Sequence, residues 1–218
     1  MPLLMIPGPI EVSPAVVEAS NGAPPGHLEK GFIDAFSRAL TAMRKVWRAP
    51  DDAQPFVIPG SGTLAMEVAA TNLLDPGQRA VVASSGYFSD RMAEMLRRRG
   101  VEVTVVAAEP GDEPDLAAVD DALARTSAHA LYATHVDTST GVRVDAEALA
   151  ALARKHGVLS VFDGVCATAG ERFEMAAWGA DVYLTASQKA IGLPPGPGPP
   201  NGRRQKRPRG WTSRRRTA

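Results

Sequence analysis

One stretch decides the fold of this chain: Asp181-Val182-Tyr183-Leu184-Thr185-Ala186-Ser187-Gln188-Lys189-Ala190-Ile191-Gly192-Leu193-Pro194-Pro195-Gly196. Its first five residues predict a short buried strand, and its later Gly and Pro residues prevent a regular helix or strand. Lys189 therefore lies at a strand exit, after small polar residues and before apolar ones. A lysine in a half-enclosed apolar place can lose its proton near neutral pH and attack a carbonyl. The alternative is a solvated loop lysine, and this stretch alone does not decide between the two.

Short apolar strands alternate with amphipathic helices through the rest of the chain. Strands are predicted at 80–83, 101–106, 130–134, 159–162 and 181–185, and helices at 14–19, 29–48, 64–74, 115–124 and 145–156. A further helix, with Ser89 or Asp90 as its N-cap, is predicted to end at Gly100. This alternation predicts an α/β fold, with a mostly parallel sheet covered by helices on both faces.

The predicted helix at 29–48 carries an apolar stripe. Its members recur at spacings of four and three, which is typical of one helix face; they are Phe32, Phe36, Leu40, Met43 and Trp47. Core packing is the simplest explanation, so we expect this face to be buried.

Length and composition allow one sizeable α/β domain. The chain has 218 residues with 24 acidic and 24 basic side chains, but residues 203–218 hold eight of the bases and no acid. Residues 1–202 therefore keep 16 bases against 24 acids, a net charge of −8, which does not suggest nucleic-acid binding. A single cysteine, Cys166, leaves no internal disulfide and no Cys-rich metal site. No apolar run approaches membrane-spanning length and no signal segment opens the chain, so we expect a cytoplasmic protein without a membrane partner.

Residues with useful chemistry follow four of the predicted strands. They are an aromatic ring, a hydroxyl, a carboxylate and an amine: Phe88, Thr138, Asp163 and Lys189. Each alone has an ordinary explanation as a core, turn or capping residue. Because ligands of parallel sheets bind outside the carboxyl ends of the strands, the coincidence at successive exits favours one joint site.

The turn Gly60-Ser61-Gly62-Thr63 joins an extended segment to a helix N-terminus. Free backbone amides and the helix dipole attract phosphate there, and Ser61 and Thr63 add hydroxyl donors. A Gly-rich turn with an ordinary helix cap is the better explanation of these four residues taken alone. The turn is not a P-loop, because no Gly-Lys-Ser/Thr follows it.

Pyridoxal phosphate is a ligand for which each of these residues has a task, and no metal is needed. Lys189 would bond to its aldehyde, and Asp163 would pair with the ring nitrogen and keep it protonated. Phe88 would stack on the ring, and Thr138 would hydrogen-bond to the ring hydroxyl. The phosphate would be held by Ser61, Gly62, Thr63 and Gln188.

The same residues resemble class V aminotransferases of the fold-type I group, in particular alanine–glyoxylate and serine–pyruvate aminotransferases. The resemblance runs over residues 3–196, and the matching pieces are Pro7-Gly8-Pro9, Gly60-Ser61-Gly62-Thr63, His135 through Val142, Asp163-Gly164-Val165 and Ser187-Gln188-Lys189 with Pro194-Pro195-Gly196. It implies an N-terminal arm at 1–24, a pyridoxal-phosphate-binding large domain at 25–196, and the residue roles given above. Phe88 stands where many relatives have Trp, and Thr63 where relatives have His.

The resemblance also implies an activity. The enzyme would move an amino group from a small amino acid, alanine or serine, to a 2-oxo acid, glyoxylate or pyruvate, and would work as a homodimer. Lys189 would move the proton as general base and acid. One alternative is another reaction of the same cofactor, such as cysteine desulfuration, although Cys166 looks more like a small buried residue than a nucleophile. The other is an inactive remnant that only binds cofactor.

Residues 197–218 depart from this pattern. A Pro/Gly run and then an Arg/Lys run carry no apolar periodicity, which predicts disorder. Members of the family that the chain resembles continue past the lysine with a small domain that supplies an arginine for the substrate carboxylate. The resemblance therefore implies a truncated chain with weak or no activity, and we favour a shifted reading frame as the origin of the tail. A basic tail that binds nucleic acid or an anionic surface is the alternative.

Overall fold

The structure is a computed structural model that describes residues 4–23 and 25–195. In chain order its elements are α1 Pro14–Ser20, α2 Lys30–Val46, α3 Gly62–Asn72, β1 Arg79–Ser84, α4 Tyr87–Arg98, β2 Glu102–Ala107, α5 Leu116–Thr126, β3 Ala130–Thr134, α6 Ala146–His156, β4 Leu159–Asp163, α7 Met175–Trp178 and β5 Val182–Leu184. No helix in this part of the chain combines the length and the apolar character that crossing a membrane requires. The predicted tail at 197–218 lies outside the described residues.

The strands pair in parallel in the order β2-β1-β3-β4-β5. The order of connection reverses between β1 and β3, and open α/β sheets bind ligands in the crevice at such a point. The register sets Thr134 of β3 beside Asp163 of β4, and Asp163 beside Leu184 of β5. The predicted α/β fold with a parallel sheet is therefore confirmed.

Both faces of the sheet are covered, because successive side chains of a strand point to opposite sides. One face packs against α5 and α6 through Val81, Ala83, Leu131, Ala133 and Phe162. The other packs against α3 and α4 through Ala80, Val82, Tyr132, Val161 and Leu184. Burial on both faces makes the central strands almost continuously apolar, which is why sequence alone could locate them.

The helix after β1 begins earlier than predicted. Ser89 or Asp90 was the expected N-cap, but α4 starts at Tyr87. The backbone amides of Phe88 and Ser89 donate to the carboxylate of Asp137, which lies in the loop after β3. A partner 48 or 49 positions away in sequence stabilises this helix start, so no local pattern could reveal it.

The prediction that the stripe of α2 is buried is wrong for most of its length. No residue of α2 is buried, and the rings of Phe32 and Phe36, which stack with centroids 6.0 Å apart, are each 38% exposed. Trp47, at the end of the helix, does enter the core and packs on Tyr183. Periodicity identifies the apolar face of a helix but does not reveal what covers it.

Candidate active site

The carboxyl edge of the sheet brings the exits of β1, β3, β4 and β5 side by side in that order. The backbone N–H of His135 donates to the carbonyl of Asp163 at 2.8 Å, which joins the β3 and β4 exits. The N–H of Gly164 donates to the carbonyl of Leu184 at 2.9 Å, which joins the β4 and β5 exits. The segments that follow β3, β4 and β5 are therefore fixed to one another by backbone hydrogen bonds.

Asp163 is the last residue of β4 and is 5% exposed. Its Oδ1 accepts a hydrogen bond from the backbone N–H of Val165 at 2.9 Å, and within the described residues its Oδ2 has no hydrogen-bond partner. Burial raises the pKa of Asp163 to about 6, the N–H of Val165 opposes this rise, and the nearby carboxylate of Asp137 adds to it. A buried carboxylate with a free oxygen is suited to a positively charged partner.

Lys189 is half-buried in the turn that follows β5. Its carbonyl accepts from the N–H of Gly192 at 2.9 Å, and the carbonyl of Ser187 accepts from the N–H of Leu193 at 3.1 Å. The N-terminal segment packs directly on this lysine: a Cβ added at Gly8 would lie 3.0 Å from Cε and 3.2 Å from Nζ of Lys189. Gly8, which belongs to the matching piece Pro7-Gly8-Pro9, thus borders the site.

The N-terminus of α3 lies against the exits of β4 and β5. A Cβ added at Gly62 would lie 2.9 Å from Cγ2 of Val165 and 3.4 Å from Cβ of Ala186. Ser61 caps the helix, with its Oγ 3.2 Å from the backbone nitrogen three residues later. The start of α4 is occupied by the carboxylate of Asp137, whereas within the described residues no carboxylate caps the start of α3. Its amides and dipole therefore leave α3 the better anion site.

The remaining predicted residues lie around the same edge. Phe88 is half-buried in the first turn of α4, and its ring makes an edge contact with Tyr87 at 5.3 Å between centroids. Thr63, Thr138 and Gln188 are half-buried, in the first turn of α3, after β3 and beside the lysine. The structure thus brings all eight predicted residues to the carboxyl edge of the sheet.

His135 and Asp137, both in the loop after β3, were not assigned roles from sequence. His135 is 2% exposed, and its Nδ1 lies 3.0 Å from the hydroxyl of Tyr183. Burial is the main cause that lowers the pKa of His135 to about 4, and the charge of Arg143 contributes, so the ring is neutral at neutral pH. We interpret His135 as a packed support of the loop after β3 rather than as a proton donor.

The fold and the candidate site define an α/β protein with a parallel sheet whose carboxyl edge gathers the predicted site residues. Comparison with known protein families assigns the chain to one of them, because the family model for Aminotransferase class-V matches residues 17–205. The chain therefore belongs to the class-V aminotransferase family.

Individual relatives agree with this assignment. Alanine–glyoxylate aminotransferase 1 of Saccharomyces cerevisiae is 40% identical over 201 residues, which cover 88% of this chain and 52% of that protein. L-aspartate–glyoxylate aminotransferase of Paracoccus denitrificans is 34% identical over 198 residues, covering 88% of this chain and 50% of that protein. The crystal structure of alanine–glyoxylate aminotransferase from Nostoc sp. matches with a TM-score of 0.85 and 32% identity, covering 90% of this chain and 52% of that one. The chain spans about half the length of these relatives.

Proposed function

We propose that this chain carries the pyridoxal phosphate site of an aminotransferase, which moves an amino group from a small amino acid to a 2-oxo acid. The observation that carries the proposal is the pairing of two neighbouring strand exits. Asp163, a buried residue, ends β4 with one carboxylate oxygen, Oδ2, that accepts no hydrogen bond within the described residues, and Lys189 follows the adjacent strand β5. A buried acid and an amine that follow neighbouring strands at the carboxyl edge of a parallel sheet are the pair that this cofactor needs.

The residues present fit the cofactor. A protonated ring nitrogen would satisfy the open Oδ2 of Asp163, and a charged partner would offset the cost of burying that carboxylate. The start of α3, where Ser61, Gly62 and Thr63 lie, fits a phosphate group. The turn after β5 carries both Gln188 and Lys189. This one turn could therefore contact the phosphate through Gln188 and the aldehyde through Lys189.

Pyridoxal phosphate, when bound, supplies an aldehyde that takes the amino group and a ring that accepts the electron pair left when the substrate Cα–H bond breaks. Asp163 holds a proton at the ring nitrogen. Lys189 would hold the cofactor through Nζ and, as a free amine, would move the proton between the substrate Cα and the carbon of the former aldehyde, as general base and then as general acid. Phe88 orients the ring and keeps water from one face of it, and Thr138 fixes the ring hydroxyl.

The relatives' names support a choice of substrates. Alanine–, L-aspartate– and serine–glyoxylate aminotransferases share glyoxylate as the amino acceptor. We therefore propose glyoxylate as the preferred acceptor with pyruvate as the second choice, and alanine or serine as the donor.

Reduction with borohydride tests the site. The chain is loaded with pyridoxal phosphate, reduced, digested and mapped, and the label should lie on Lys189. Alanine or serine added before reduction should protect Lys189 from labelling, because the donor displaces the lysine, and a 2-oxo acid should form. Label on a different lysine, or none on folded protein, would contradict the proposal.

We also propose a homodimer in the cytoplasm. The exposed apolar residues Phe32, Ile33 and Phe36 on α2 support the dimer, because exposed apolar patches of this kind mark protein interfaces. The cytoplasmic location rests on the sequence alone. Sedimentation equilibrium should give a dimer for the wild-type chain and a monomer for Phe36→Asp, and a monomeric wild-type chain would refute the dimer.

A further inference from the structure

A wholly buried carboxylate joins two of the strand exits that form the proposed site. Asp137 lies in the loop after β3 and is 0% exposed. Its Oδ2 accepts hydrogen bonds from the N–H of Phe88 at 3.0 Å, the N–H of Ser89 at 3.2 Å and the hydroxyl of Ser89 at 3.3 Å. Its Oδ1 accepts from the N–H and the hydroxyl of Ser139 at 3.0 and 2.7 Å. All these donors come from the exits of β1 and β3.

Residues next to these hydrogen bonds also join the exits of β1 and β3. The N–H of Tyr87 donates to Oγ of Ser139 at 3.0 Å, so Ser139 links the start of α4 to Asp137. A Cβ added at Gly86 would lie 2.7 Å from Oγ of Ser139 and 2.8 Å from Cγ of Asp137, so only glycine permits this approach. The protein therefore ties the exits of β1 and β3 together with its own polar groups.

We propose that Asp137 is a positioning residue that holds the first turn of α4 and the 138–139 turn in a fixed relation. Its two oxygens are occupied by protein donors, so it acts on the ligand through its neighbours. The ring of Phe88 and the hydroxyl of Thr138 are thereby held on the same ligand ring. The inference rests on the proposed function, because it takes these two residues as cofactor contacts.

The choice of a carboxylate has a physical reason. The start of a helix offers unpaired N–H groups and a positive partial charge, which a carboxylate complements. An amide side chain of the same shape has a single oxygen. In Asp137→Asn that oxygen can serve α4 or Ser139, and the NH₂ group then faces N–H donors on the other side. One of the two turns must lose its anchor.

The first test uses the cofactor-free chain and compares Asp137→Asn with Asp115→Asn. Asp115 is a matched control, because its carboxylate caps α5 by accepting from the N–H of Ala117 at 3.0 Å. That helix packs on the other face of the sheet from α4. Amide hydrogen exchange at Phe88 or at Ser139 should be about tenfold faster or more in Asp137→Asn, and unchanged in Asp115→Asn, because losing the anchor opens that turn locally.

The second test measures pyridoxal phosphate binding by titration and by circular dichroism of the bound ligand. Asp137→Asn should weaken binding about tenfold and reduce the dichroism, because the ring is held less firmly. Phe88→Leu should do the same. If Asp137 acts through Phe88, the variant that combines Asp137→Asn and Phe88→Leu should bind pyridoxal phosphate little worse than whichever single variant has the lower affinity. Changes within one network are not additive. Fully additive losses would overturn the inference.

A folding failure of Asp137→Asn does not end the test, because Ser139→Ala removes the hydroxyl link from the exposed side. It should speed exchange at Tyr87 and weaken binding by a smaller factor. Unchanged exchange and affinity in the folded variants would overturn the inference while leaving the proposed function intact. A wild-type chain that does not take up pyridoxal phosphate on Lys189 would instead overturn the proposed function.

Discussion

Replacing Lys189 by alanine should abolish covalent attachment of pyridoxal phosphate and lower amino transfer by at least about 100-fold, the contribution typical of a positioned general base. The other lysines in the described part of the chain lie on helices: Lys30, Lys45 and Lys155. None of them follows a strand at the carboxyl edge, so none can substitute. Single-turnover formation of 2-oxo acid from alanine, measured with the loaded chain in excess, gives the comparison with wild type.

Two additions separate a chemical effect from a structural one. Lys45→Ala removes an exposed lysine from the last turn of α2 and should leave attachment and transfer unchanged. Methylamine added to Lys189→Ala should restore part of the transfer, because a small amine can enter the space left by the side chain and act as the base. Transfer at the wild-type rate in Lys189→Ala would refute the role of this residue.

The fold was predictable where a strand is buried on both faces. Val81 and Val82 are each 0% exposed although they point to opposite faces, so an unbroken apolar run was a reliable signal for β1. The same holds for Leu131 and Tyr132 of β3, which are each 1% exposed. Because parallel strands end at one edge, placing the strands also placed the site residues that follow them.

Parts that depend on distant partners were not predictable. Asp137 looks like a polar turn residue in sequence, and its contacts come from residues 48 and 49 positions earlier. Gly8 likewise shows its relation to Lys189 only in three dimensions. The stripe of α2 has the period of a buried face, but its partner is not supplied by the described residues, so the rings of Phe32 and Phe36 stay exposed.

The short helix α7 was missed for a different reason. It has four residues, Met175–Trp178, which is too few for periodicity to appear. It is held by the segment after α2, since the N–H of Met175 donates to the carbonyl of Trp47 at 2.9 Å. The side chain of Glu174 pairs with Arg48 beside this contact. A long-range contact, rather than local propensity, thus defines the element.

Asp163→Asn should have opposite effects on function and on stability. Asparagine can still accept the hydrogen bond from the N–H of Val165 but cannot balance a positive charge on a bound ring. Without the carboxylate the ring nitrogen is no longer kept protonated and the ring accepts electrons less well, so amino transfer should fall by roughly 100-fold or more. Lys189 still attaches the cofactor, so borohydride labelling should persist.

The stability effect follows from the pKa of Asp163, which burial raises from 3.8 to about 6. At a pH below 3.8, the pKa of this carboxyl group in the unfolded chain, the group is protonated in both the folded and the unfolded state. Folding then buries no charge at this position. As the pH rises through about 6 the folded protein must bury the ionised form, so stability contributed by the neutral acid is lost. The whole shift corresponds to at most about 3 kcal/mol. The cofactor-free Asp163→Asn chain should therefore exceed wild type in free energy of unfolding by up to that amount at about pH 8, and by little at about pH 4.

Urea unfolding of both cofactor-free chains across this range measures the difference directly. His135, whose pKa burial lowers to about 4, destabilises the fold as the pH falls, but it is present in both chains and cancels. Asp121→Asn, at an exposed position on α5, should show no such pH-dependent difference from wild type. Lost transfer together with a stabilised cofactor-free fold would mark Asp163 as a residue kept for its ligand rather than for folding, since sites of this kind trade stability for function. Near-normal transfer in Asp163→Asn would show that another group serves the ring nitrogen, and equal stability at about pH 8 would show that the carboxylate is solvated more than its burial implies.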